Sequence, residues 1–203
     1  MSEAEIDLKK RNKRNRRCAW PAILVLVLLG FCVYAFWRIE PDLEHTLYPR
    51  AYQSIVQAEA ETFGVEESLV YAVIKAESNF DAQAESPVGA LGLMQMMPNT
   101  FTWMQSHVGG SYPAEALFEP EISIRFGCAL LKLLLNEYGD LTVALSAYNA
   151  GMGNVTSWLS DTAYSDDGVT LKEIPFPETR IYVKKVLRYK EIYEKIYGGM
   201  ENG

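Results

Sequence analysis

Histidine and cysteine are scarce. The 203 residues hold two histidines and three cysteines. His45 and His107 have no ligand spacing around them, so no metal site is expected, structural or catalytic. Cys18 and Cys32 fall in or beside an apolar run. Cys128 is then alone in the rest of the chain, which excludes a disulfide framework there, and its place in an apolar helical stretch makes it a small core residue. Alternating strand patterns, internal repeats and low-complexity tracts are also absent. A basic excess is lacking: the formal net charge is −7, which argues against nucleic acid as a partner. What remains is an ordinary globular composition, 49% hydrophobic and 22% charged.

The charge is unevenly placed. Residues 1–17 hold seven basic residues against three acids, residues 18–37 hold no charge, and residues 38–203 hold 12 basic and 23 acidic residues. The uncharged run CAWPAILVLVLLGFCVYAFW has 20 residues, about 30 Å as a helix, which matches the hydrocarbon thickness of a bilayer. Basic residues before it and acids after it put the N-terminus on the cytoplasmic side. A cleaved signal peptide is the competing reading. Its apolar core is shorter and ends in small residues, whereas this run ends in Tyr34-Ala35-Phe36-Trp37. A lipid anchor on Cys32 is disfavoured by Phe31 before it. The expected organisation is a basic cytoplasmic tail at 1–17, a transmembrane helix at 18–37, a linker at 38–46, one globular domain at 47–197 and a short tail at 198–203.

The globular part reads as helix after helix. Pro49 suits a first helical position, with Tyr52, Ile55, Val56 and Phe63 at helical spacing and Gly64 as terminator. Glu66 and Glu67 open a second helix. Pro98 begins another that ends before Gly109, Ile122–Tyr138 is an apolar helix stopped by Gly139, and Asp140 caps a helix at Leu141–Asn149. Ser160–Pro177 is a loop, and a last helix starts near Thr179.

One residue does not suit its helix. The stripe Leu69, Val70, Val73, Ile74 continues to position 77, and that position holds Glu77. Burial raises a carboxyl pKa, and a glutamic acid still protonated near neutrality can serve as a general acid. Spacing alone also allows a structural ion pair or a residue at the edge of the core. Ser78 and Asn79 beside it, and Gly89 and Gly92 downstream, suit close approach of backbone to a bulky ligand.

Three segments occur in order: ESNFDAQAESPVGALGLMQMMPNT at 77–100, ALSAYNAGMGNV at 144–155 and IPFPETRIYVKKVL at 174–187. Together they resemble the signature segments of the soluble lytic transglycosylase catalytic domain, over roughly 47–196. The resemblance implies a mostly α, lysozyme-like fold (α+β by classification) with a glycan-binding cleft, preceded here by the transmembrane helix. It implies cleavage of the β-1,4 bond between N-acetylmuramic acid and N-acetylglucosamine in peptidoglycan, without water, leaving 1,6-anhydromuramic ends. It implies Glu77 as the single catalytic acid and base, with no cofactor. Ser86, Met94, Gln95, Tyr148, Asn149, Glu178 and Tyr182 match motif positions that contact substrate or form the cleft. It implies peptidoglycan strands as the partner, and a membrane-held domain on the wall side. Ser146 stands where alanine is common. By periodicity alone Tyr148 is a core residue with its hydroxyl satisfied, Met96 and Met97 are core filler, and Tyr189 and Tyr193 are packing. A lysozyme-like hydrolase would need a second carboxylate from Asp81, Glu85 or Glu178 to activate water. A non-catalytic glycan-binding envelope protein is the third reading, and the retained Glu77 argues against it.

Overall fold

Proline sits at the first position of three helices, where its missing N–H is no loss and its fixed φ is already helical. That device sets much of the architecture. The computed structural model describes residues 24–34 and 44–198. The chain divides into two units, Met1–Pro49 and Arg50–Gly203. In the first, residues 24–34 are helical with their apolar side chains exposed. Among the described residues no helix is long and apolar enough to cross a membrane. The expected basic tail and the two ends of the expected span, 18–23 and 35–37, lie outside the described residues, as do 38–43 and 199–203.

The second unit is mostly helical: α1 Gln53–Phe63, α2 Glu67–Glu77, α3 Pro98–Val108, a 3-10 turn at Ala114–Phe118, α4 Pro120–Tyr138, α5 Leu141–Ala150, α6 Met152–Leu159 and α7 Pro177–Tyr197. No strand forms among the described residues. The loop between α2 and α3 has only the isolated bridges Glu85–Leu91 and Leu91–Met96. Helix α4 is the hub. It buries Ile124, Phe126, Cys128, Leu131 and Leu134 against α1, α3 and α5, each large side chain contributing roughly 1.5–3 kcal/mol. Cys128 is core, and burial pushes its thiol far above the ordinary range. Helices α2 and α7 form the most extensive pair, joined at one end by Tyr71 stacked on Tyr193 at 5.3 Å.

Several helix ends follow their local chemistry. Gly64 and Gly139 close α1 and α4 in the left-handed region, and the Asp140 carboxylate accepts the Val143 N–H at the start of α5. Pro49 does not start a helix. Helix α1 begins after Tyr52, which takes φ 60°, so the entering chain turns sharply there. Helix α6 and the 3-10 turn were not expected from periodicity. Both are too short to show a stripe, and tertiary burial of Val155, Trp158 and Leu117 supports them.

Candidate active site

Glu77 is the last residue of α2, and the stripe leading to it is buried throughout. Its carboxyl stands at a groove of about 230 Å³. The groove is also lined by Ser86, Gln95, Tyr148, Asn149 and Glu178, so side chains from three distant segments converge. The Glu77 side chain retains some exposure, yet protein surrounds the carboxyl on most sides. That desolvation pushes its pKa up to about 7, against the Tyr182 hydroxyl and the Lys185 ammonium, which pull it down.

The segment after Glu77 is built around backbone strain. Asn79, Phe80 and Gln95 all have positive φ, which is costly for residues other than glycine. The compensations are visible. Ser78 Oγ donates to the Leu93 carbonyl at 2.8 Å, tying the end of α2 to the following loop. Gln95 Nε2 donates to the carbonyls of Ala84 and Gly92 at 3.0 and 2.9 Å. Its amide protons are thereby committed to the loop, and its Oε1 is the atom left for the groove. Gly92 has φ 76°, and a Cβ there would lie 1.9 Å from the Leu117 carbonyl oxygen. Only glycine fits on both counts.

Met94 is 0% exposed and lies against Gly127, where a Cβ would meet its sulfur at 2.1 Å. Its side chain is therefore turned into the core, away from the groove. Its backbone contributes instead: Tyr148 donates its hydroxyl to the Met94 carbonyl at 2.8 Å, and the Met94 N–H donates to Ser123 Oγ at 3.2 Å. Tyr148 thus combines the two readings that spacing left open, its hydroxyl satisfied inside and its body forming the groove wall. Met97 departs from the expectation of core filler. It is 39% exposed and lines the groove with Val88 and Thr100. Met96 is buried, although part of it reaches the groove lining.

Ser86 Oγ accepts the Ala90 N–H at 2.9 Å, which leaves its own proton for the groove. Asn149 Oδ1 accepts from Thr179 Oγ1 at 2.8 Å, pinning α5 to α7. Tyr182 does not line the groove. Its hydroxyl is buried, falls short of a full hydrogen bond, and bears on the Glu77 carboxyl from behind as a potential donor. Glu178, Tyr182 and Lys185 form one stripe of α7 at helical spacing. Lys185 Nζ donates to the carbonyl of Ala76, the residue before Glu77, at 2.8 Å. Periodicity gave no signal for Lys185, because an exposed lysine on a helix looks like any solvated charge. No residue of the acidic loop 160–176 lines the groove. Of Asp81, Glu85 and Glu178, the carboxylates available to activate water, only Glu178 lines the groove. Among the described residues no group of three histidine, cysteine or acidic side chains is placed to hold a metal ion.

Residues 54–169 match the family described as Transglycosylase SLT domain, and residues 173–202 match a soluble lytic transglycosylase helical domain. The chain belongs to the transglycosylase SLT domain family. It is 38% identical over 156 residues to the soluble lytic murein transglycosylase of Escherichia coli strain K12, covering 74% of this chain and 24% of that protein. It is 31% identical over 172 residues to the membrane-bound lytic murein transglycosylase C of Edwardsiella ictaluri, covering 71% and 47%. Among solved structures, an inactive Glu-to-Gln mutant of the lytic transglycosylase Slt from Pseudomonas aeruginosa superposes with a TM-score of 0.66 at 37% identity, covering 73% of this chain and 24% of that one. The chain thus spans about a quarter of the soluble relatives it matches. The groove is assembled from the end of α2, the loop after it and α5, with Thr100 of α3, Leu130 of α4 and Glu178 of α7 also in its lining, while Tyr182 and Lys185 of α7 stand behind Glu77.

Proposed function

We propose that the protein is a peptidoglycan lytic transglycosylase in which Glu77 acts alone as acid and then base. The observation that carries this reading is a carboxyl raised to about 7 by burial at the floor of an open groove. Protonated Glu77 gives its proton to the glycosidic oxygen, and the C1–oxygen bond of the muramic residue breaks. The 2-acetamido group of the substrate supports the developing positive charge at C1. The C6 hydroxyl of the same sugar then attacks C1, and its proton returns to the Glu77 carboxylate. No water enters, and the enzyme ends in its starting protonation state. Intramolecular attack brings the effective concentration of an internal nucleophile. Ser86, Gln95, Tyr148 and Asn149 shape and hold the sugars. A Pseudomonas relative is inactive as a Glu-to-Gln mutant, which is in keeping with a mechanism that depends on one glutamic acid.

The lysozyme-like fold supports a cleft spanning several sugars. The basic tail, the uncharged run at 18–37 and the helical core of that run at 24–34 support a single-pass anchor. The cytoplasmic tail would lie at 1–17, and the catalytic domain at 47–197 would face the wall. A membrane-bound relative supports an envelope location.

Mass spectrometry of peptidoglycan digested by the full chain tests the chemistry. Anhydromuramic ends are expected. Hydrated reducing ends would instead identify a hydrolase, with Glu178 as the carboxylate that activates water. Turnover should vanish in Glu77→Gln.

A further inference from the structure

The groove does not stop at the residues that surround Glu77. Met97 and Thr100, at the start of α3, line it. Helix α3 turns Phe101 and Met104 into the core. One turn beyond Thr100, on the same flank, comes Trp103, and one turn further comes His107. Trp103 is 41% exposed, whereas the other described tryptophan, Trp158, is 6% exposed. The groove margin already carries exposed apolar side chains in Val88 and Met97, and by helical spacing from Thr100 the open indole continues that margin along α3.

The indole is also held. The His107 ring lies 4.5 Å from it, tilted by 58°. That ring is itself fixed, with Nδ1 3.1 Å from the Trp103 carbonyl oxygen and 3.1 Å from Ser106 Oγ. Ser106 Oγ donates to the same Trp103 carbonyl at 2.7 Å. The result is a rigid surface that loses little entropy when a ligand settles on it. Each turn of α3 advances about 5.4 Å, the scale of one sugar ring.

We propose that Trp103, braced by His107, is a stacking platform for an N-acetylhexosamine of the same glycan strand, beyond the sugars held at Glu77. The apolar face of a pyranose would cover the indole, and Met97 and Thr100 would carry the strand from the catalytic groove to it. The proposal rests on the glycan-cleaving reading of that groove. It adds that the enzyme discriminates strand length through a residue that touches no reacting atom.

The test is binding of stem-peptide-free N-acetylglucosamine oligomers, from dimer to hexamer, to the full chain in mild detergent by calorimetry. Trp103→Ala should weaken hexamer binding about tenfold and leave dimer binding unchanged, while Trp103→Phe should keep most of the hexamer affinity. An unchanged thermal melt separates a lost platform from a damaged fold. Hexamer binding equal to that of the parent chain in Trp103→Ala overturns the proposal, as does equal weakening for dimer and hexamer in an intact fold. Anhydro ends from the parent chain together with an unaffected Trp103→Ala variant would remove only the platform. Hydrated ends with a length-selective loss would remove only the transglycosylase reading.

Discussion

Glu77 shapes the stability of the domain as well as the chemistry proposed for it. Its ordinary pKa of 4.5 becomes about 7 in the fold. Below 4.5 both folded and unfolded chains carry the proton, and the carboxyl has no effect. As pH rises through 7, the folded chain must ionise a desolvated group that the unfolded chain ionised earlier. The loss of stability accumulates across that window and is on the order of 3 kcal/mol. Glu77→Gln removes it. Denaturant unfolding should show the variant more stable than the parent at pH 8 and indistinguishable at pH 4. Activity should fall as pH rises through about 7, because the first step needs the proton. Lys185 pulls that limb downward, so Lys185→Met should move the alkaline limb of kcat/KM to higher pH. An unmoved limb would show that the exposed ammonium is screened. At this scale the sequence was informative where a residue broke a pattern, as Glu77 does on an apolar stripe. It was silent where a residue obeyed one. Met94 stands in a groove-lining motif, yet its side chain packs on Gly127 and only its backbone serves the site.

The elements that position these residues depend on a few backbone constraints. The loop from Ser78 to Met97 has little regular structure and is held by the amide of Gln95, the hydroxyl of Ser78 and the close approach at Gly92. Gly92→Ala would combine an unfavourable φ with a clash against backbone, which cannot move aside as a side chain can. A loss of about 3 kcal/mol or more is expected in urea unfolding, with groove binding lost at temperatures where the helices persist. Long helices with caps were legible: Asp140 before α5, Gly139 after α4 and Pro98 at the head of α3 are local signals. Helix α6 and the 3-10 turn were not legible, because eight and five residues are too few to establish a stripe. The left-handed Tyr52 was hidden too, since nothing in the preferences of tyrosine announces a positive φ.

For the whole molecule, the separation of charge is the feature with most reach. On the proposed function, the basic tail, the uncharged run and the acidic unit after it are those of a protein held at a membrane with its globular part in the wall. Expressed in a bacterial host, the full chain should remain in the membrane pellet after alkaline carbonate washing, and removal of residues 1–37 should release the protein to the soluble fraction with anhydro-forming activity intact. Release of the full chain by carbonate would exclude a spanning anchor. Three motif segments in order were enough to read the family. The third segment named Glu178 and Tyr182 on α7, but the part of Lys185 was not readable, because it depends on how α7 docks behind Glu77.

That dependence has a consequence for how such an enzyme is made. The Lys185–Ala76 hydrogen bond joins residues 109 positions apart in the chain, and Tyr182 reaches Glu77 across a similar interval. A ribosome releases α2 long before α7. Until α7 docks, Glu77 lacks the Tyr182 hydroxyl and the Lys185 ammonium beside it. A chain still being synthesised therefore carries every residue of its first two signature segments without the α7 side of the site. On the proposed function, competence to cut the wall arrives only when the end of the domain folds back on its beginning.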